Sequence, residues 1–81
     1  MGTTDKSLAK MRTNPKGWHI EDLEAVAGRC NLRIRKPKGS HVVFSFPGVQ
    51  GEASVPSHRP IKPVYVKKFV ALVDAALAKE E

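Results

Sequence analysis

The sequence predicts an α+β fold of two layers: a three-stranded antiparallel sheet with two helices on one of its faces. Three observations carry this. Residues 20–30 hold an apolar stripe at helical spacing. Residues 32–55 hold three short alternating segments separated by Pro/Gly turns. Residues 63–79 hold a second helical stripe. The 81 residues make one domain. A chain this short buries only about 60% of the surface its unfolded form exposes, so the core is expected to be thin.

Residues 1–16 are polar and include Gly2, Thr3, Thr4, Thr13, Asn14 and Pro15. They read as a flexible leader ahead of a domain at 17–81. Trp18 is expected to pack on the core as a lid. The first helix spans about 20–29, with Ile20, Leu23, Val26, Ala27 and Cys30 as its stripe. Glu21 and Asp22 suit its positive end, and Gly28 and Asn31 are candidate terminators. The first strand is 32–35, with Leu32 and Ile34 inward and Arg33 and Arg35 outward. A turn at 36–39 leads to the second strand at 41–46, and a turn at 47–51 to the third at 52–55. Pro63 suits the first position of the last helix, where its missing N–H costs nothing. Val66, Phe69, Val70, Val73 and Leu77 form that helix's stripe. With both helices on one sheet face, the other face is left to solvent.

The net charge is +6 and the sequence pI about 9.8. The charge is unevenly placed: from residue 25 to 73 the only acid is Glu52, against nine lysines and arginines. A surface that merely solubilises a domain mixes both signs. A one-sided balance favours polyanions, nucleic acid above all. Cys30 is the single cysteine, so no internal disulfide forms, and its place in a helical stripe reads as a small buried hydrophobe. His19, His41 and His58 are 22 and 17 residues apart, which fits no local ligand motif; no metal or cofactor is expected. No apolar run approaches 18 residues and the N-terminus lacks a signal peptide's apolar core, so the cytoplasm is the expected compartment and no membrane partner is expected. Nothing in the sequence suggests a large homo-oligomer interface.

The informative segment is 38–44, Lys-Gly-Ser-His-Val-Val-Phe. Side chains alternate across a strand. Val42, Phe44 and Phe46 make a coherent inward set, which turns His41, Val43 and Ser45 outward, beside Arg33 and Arg35. An imidazole in basic surroundings suits work on a phosphodiester: it takes a proton from a ribose 2′-OH near neutral pH, while the cations offset charge building on the phosphate. Gly39 allows a substrate backbone to come close. Ser40, adjacent to His41 on a strand, points away from it and has no orienting carboxylate, so it reads as a turn residue or phosphate donor, not a nucleophile. His58 reads as a turn-shaping residue or as a second acid/base or phosphate contact. His19 reads as a cap or surface residue. Tyr65 could stack on a base or pack at the helix start.

The run Gly39-Ser40-His41-x-x-Phe44, followed by Val55-Pro56-x-His58, resembles the pattern of the HicA family of toxins, over about residues 18–77. The resemblance implies a double-stranded-RNA-binding-domain-like fold and an mRNA interferase, with the strand histidine, here His41, required for cleavage; with no metal expected, such cleavage would run without one. The basic residues around the strand histidine read as its RNA contacts: Arg33, Arg35, Lys36 and Lys38, with Gly39, Ser40, His58, Arg59 and Lys62 beyond them. The resemblance also implies mRNA as substrate and a HicB-type antitoxin as protein partner. The basic turn at 36–38, the long last helix and the N-terminal leader depart from the family pattern. Two other readings stand beside it: a non-catalytic double-stranded-RNA-binding domain, and a protein-interaction module using the sheet. Only cleavage gives a reason for residue 41 to be histidine.

Overall fold

Val42 and Phe44 decide how the sheet lies. In the structure, a computed structural model that describes residues 6–36, 39–57 and 60–80, the elements run α1 (Lys6–Thr13), α2 (Ile20–Arg29), β1 (Arg33–Arg35), β2 (His41–Ser45), β3 (Ala53–Pro56) and α3 (Pro63–Glu80). The sheet is antiparallel with β2 in the middle. Arg33 pairs with Ser45 and Arg35 with Val43 on one side; His41 pairs with Pro56 and Val43 with Ser54 on the other. Val42, Phe44, Ala53 and Val55 enter a core shared with the helices, and the Phe44 ring meets Phe69 of α3 edge-on, with centroids 4.8 Å apart. Such an edge-to-face pair adds about 0.5–1.5 kcal/mol to the area it buries.

Local chemistry explains the helix ends. The Asp22 carboxylate accepts from the His19 backbone N–H at 3.0 Å, so His19 does stand at the entrance of α2. At the other end Asn31 takes φ +62°, the Leu32 N–H reaches the Ala27 carbonyl at 2.9 Å and the Asn31 N–H reaches Gly28 at 3.4 Å. This is the paired-bond C-terminal stop that Asn tolerates better than most residues. Ala27, Cys30 and Leu32 are all buried beside it. Pro63 opens α3 as expected, and the Lys62 carbonyl accepts from the Tyr65 and Val66 amides.

Several expectations need correction. The first is the flexible leader at 1–16, half of which forms α1. The polar composition conceals Leu8 and Met11, which sit three apart on one helix face and are each 1% exposed in the core. The other residues of this turn are good helix formers. Thr13 donates back to the Ala9 carbonyl, and Pro15 follows as a stop. The helix lies against α2 and α3, and the Arg12 guanidinium pairs with the Asp74 carboxylate of α3. The element order therefore gains a helix in front.

The second is Val43. It points to the sheet face away from the helices, yet is only 8% exposed. The third is the stripe of α3. Leu72 and Ala76 are buried while Leu77 is only half-buried, because α3 is packed on more than one side. Of the residues expected to face inward, Phe46, just past the end of β2, is only half-buried, and Ile34 of β1, on an edge strand, is 38% exposed. Cys30 is buried, as expected. No helix of the described residues is long and apolar enough to cross a membrane.

Leu8→Ala and Met11→Ala should each lower the unfolding free energy by about 2–5 kcal/mol, the range for emptying a buried aliphatic site. Urea denaturation followed by circular dichroism measures this. A leader that merely trails from the domain would leave the midpoint unmoved.

Candidate nucleic-acid interface

The register assembles the open face row by row. Arg33 and Ser45 lie at one end, Arg35, Val43 and Ser54 in the middle, and His41 and Pro56 at the other end. Arg33, Arg35, His41 and Ser54 are exposed and Ser45 half-buried. His41 is the first residue of β2 and sits diagonally from Arg35, a spacing of about 7–8 Å in an antiparallel pair. Arg33 is two further residues along, on the order of 14 Å from His41 at about 3.4 Å per residue. His41 and Arg35 are thus close enough to meet one small anion, while Arg33 stands farther along the face.

Backbone contacts hold His41 in place. Gly39 adopts φ +55°, a left-handed conformation that most residues enter only with strain. A Cβ there would meet nothing within 4 Å, so the requirement for glycine is one of backbone angle rather than space. The Ser40 carbonyl then accepts two hydrogen bonds from Ser57, one from its N–H at 2.6 Å and one from its hydroxyl at 2.9 Å. These bonds tie the start of β2 to the end of β3 and fix where His41 leaves the sheet.

The cations are distributed less simply than the sequence suggests. The Arg35 guanidinium reaches Glu52 at 3.2 Å. Arg35 pairs across β2 with Val43, and Glu52 lies just before β3, so the ion pair spans the central strand diagonally. The strap crosses the face that carries the buried Val43. Both partners are more than half exposed, so the pair itself contributes only about 0–1 kcal/mol. Lys36 differs: its ammonium lies 3.0 Å from the Glu24 carboxylate of α2. It follows Arg35 by one residue and therefore turns toward the helix layer, away from His41. Alternation alone would have separated it from Arg33 and Arg35. Among the described residues Arg33 has no ion pair. Lys62 is exposed at the start of α3. Lys38, His58 and Arg59 lie outside the described residues.

Two residues of this face went unread in the sequence. Glu52 was legible as the lone acid of a basic stretch. Ser57 carried no signal, because its role depends on strand register. Tyr65 is half-buried against the core, with the Lys68 ammonium 5.9 Å above its ring, so it packs at the helix start. No group of three or more His, Cys, Asp or Glu side chains among the described residues is arranged to hold a metal ion. Comparisons with family models, curated proteins and solved structures find no match to this chain.

Removing the acid of the strap should release Arg35 to a phosphate. Glu52→Gln is expected to tighten RNA binding at low salt and to steepen the log–log salt dependence by about 1, the increment for one added phosphate contact. Anisotropy of a labelled RNA across a salt series reads both. Unchanged affinity and slope would take Arg35 out of the interface.

Proposed function

We propose that this protein is a HicA-like toxin: a metal-independent endoribonuclease with a double-stranded-RNA-binding-domain-like fold, acting on mRNA and neutralised by a HicB-type antitoxin. The observation that carries the reading is the exposed His41 at the head of β2, on the sheet face turned from the helices, beside Arg35 and behind the Gly39-Ser40 turn.

In this reading an RNA strand lies across the open face. His41 accepts the proton of a ribose 2′-OH, and the 2′ oxygen attacks the adjacent phosphorus. The P–O5′ bond breaks, the 5′ oxygen leaves with a proton from solvent or from a second donor, and a 2′,3′-cyclic phosphate remains. Arg35, exchanging Glu52 for the phosphate, neutralises charge as it builds on the non-bridging oxygens. Arg33 holds a neighbouring phosphate and sets the direction of the strand. An antitoxin that covers this face with acidic side chains would block RNA and occupy the same cations. The long last helix and α1 give this chain surface that a minimal toxin of this kind lacks.

His41→Ala should abolish cleavage while leaving the fold intact, since His41 is exposed at the first position of β2. RNA integrity after induction of the wild type and the variant reads this in cells, and purified protein with RNA in excess chelator reads it in solution. Wild-type cleavage is expected to persist in chelator and variant cleavage to fall at least ~100-fold, the usual scale for losing a general base. Equal decay in both proteins would remove His41 from the chemistry. Salt-sensitive binding without cleavage in either would leave a non-catalytic RNA-binding domain.

A further inference from the structure

Outside the open face, the sequence between α1 and α2 builds a second feature. Ala9, Lys10, Thr13, Asn14, Lys16 and Trp18 line an open groove of about 410 Å³, and none of these residues is acidic. Trp18 packs against the core and also walls the groove. Its indole N–H donates to the Asn14 carbonyl at 2.7 Å, which fixes the ring's orientation. Asn14 is itself held: its N–H bonds the Lys10 carbonyl at 2.8 Å, and its side-chain oxygen accepts from the Lys16 N–H at 3.2 Å. The Lys10 and Asn14 carbonyls thus have donors, and Lys10 and Arg12 in the last turn of α1 offset the negative end of the helix.

We propose that this groove binds a single-stranded stretch of nucleic acid, with one base stacked on Trp18 and flanking phosphates on Lys10 and Lys16. A pre-oriented aromatic ring between two cations is the arrangement by which proteins hold single strands without reading sequence. A duplex does not fit it, because its bases have no free faces to offer the indole. The site also connects to the sheet. The Trp18 carbonyl accepts from the Ile61 N–H at 2.8 Å. Ile61 is four residues after Ser57, which grips Ser40 beside His41. Four residues reach about 14 Å at most, so a short stretch of chain joins the backbone at Trp18 to the serine that holds the start of β2. The inference rests on the reading of the chain as an RNA-binding protein and assigns its substrate as single-stranded.

Trp18 is the only tryptophan, so its emission reports on this groove alone. The full chain carrying His41→Ala, titrated with oligouridylate, should show saturable quenching. Poly(A)·poly(U) duplex should quench little. Adding Lys10→Gln and Lys16→Gln should raise Kd several-fold and reduce the log–log salt slope by roughly 1.4, at about 0.7 per phosphate on a single strand. Equal quenching by the duplex, or quenching untouched by the lysine substitutions, would overturn the proposal. Binding seen by anisotropy of labelled oligouridylate without any quenching would overturn it too, while leaving RNA binding at the open face. RNA that neither binds nor is cleaved would end both readings.

Discussion

The contact of Phe44 with Phe69 sets the parity of the central strand. With Phe44 and Val42 committed to the helices, His41 and Val43 have no choice but the opposite face. A slip of one residue would turn Val42 and Phe44 out of the core and bring the imidazole under the helices. The apolar pattern therefore makes that slip costly, and in doing so it protects the placement of the histidine. Ser57 adds a polar lock at the same end, through two hydrogen bonds to one carbonyl. Hydrophobic burial chooses the face, and the serine fixes the position along it.

The thinness of the core explains why α1 is docked. Three short strands and α2 leave α3, an 18-residue helix, with more apolar surface than one small sheet can cover. Leu8 and Met11 cover the remainder, and their side chains are as buried as those of the sheet. The same docking brings the end of α1 against Trp18 and creates the groove there. A packing requirement and a candidate binding feature thus share one helix.

Much of the fold was legible because the apolar periods were clean. The stripe of α2, the alternation of β2 and the position of Pro63 each follow from side-chain geometry, and each holds in the structure. The leader was misread because two buried residues among polar neighbours make too short a helical signal to count. The burial of Val43 was not legible because alternation tells which face a side chain takes and not what crosses that face; the Arg35–Glu52 pair that crosses it joins partners 17 residues apart and requires the strand register. The position of His41 could be read from parity alone. The pairing of Lys36 with Glu24 of α2 was not legible, because adding up charge along a segment ignores which side of the strand each residue takes.

The charge around His41 is therefore modest but adjustable. One arginine lies near it in an exposed pair that a phosphate can displace, and a second stands farther along the face. Such a site suits attack within the RNA itself, where the nucleophile is already part of the substrate and the protein needs only to take a proton and steady the phosphate. The chemical nature of the cut ends tests this most directly. Attack by the 2′-OH leaves 2′,3′-cyclic phosphate and 5′-hydroxyl ends, formed in the presence of chelator and absent with a 2′-O-methyl strand. Ends bearing 3′-hydroxyl and 5′-phosphate, or cleavage of the methylated strand at the same rate, would contradict it.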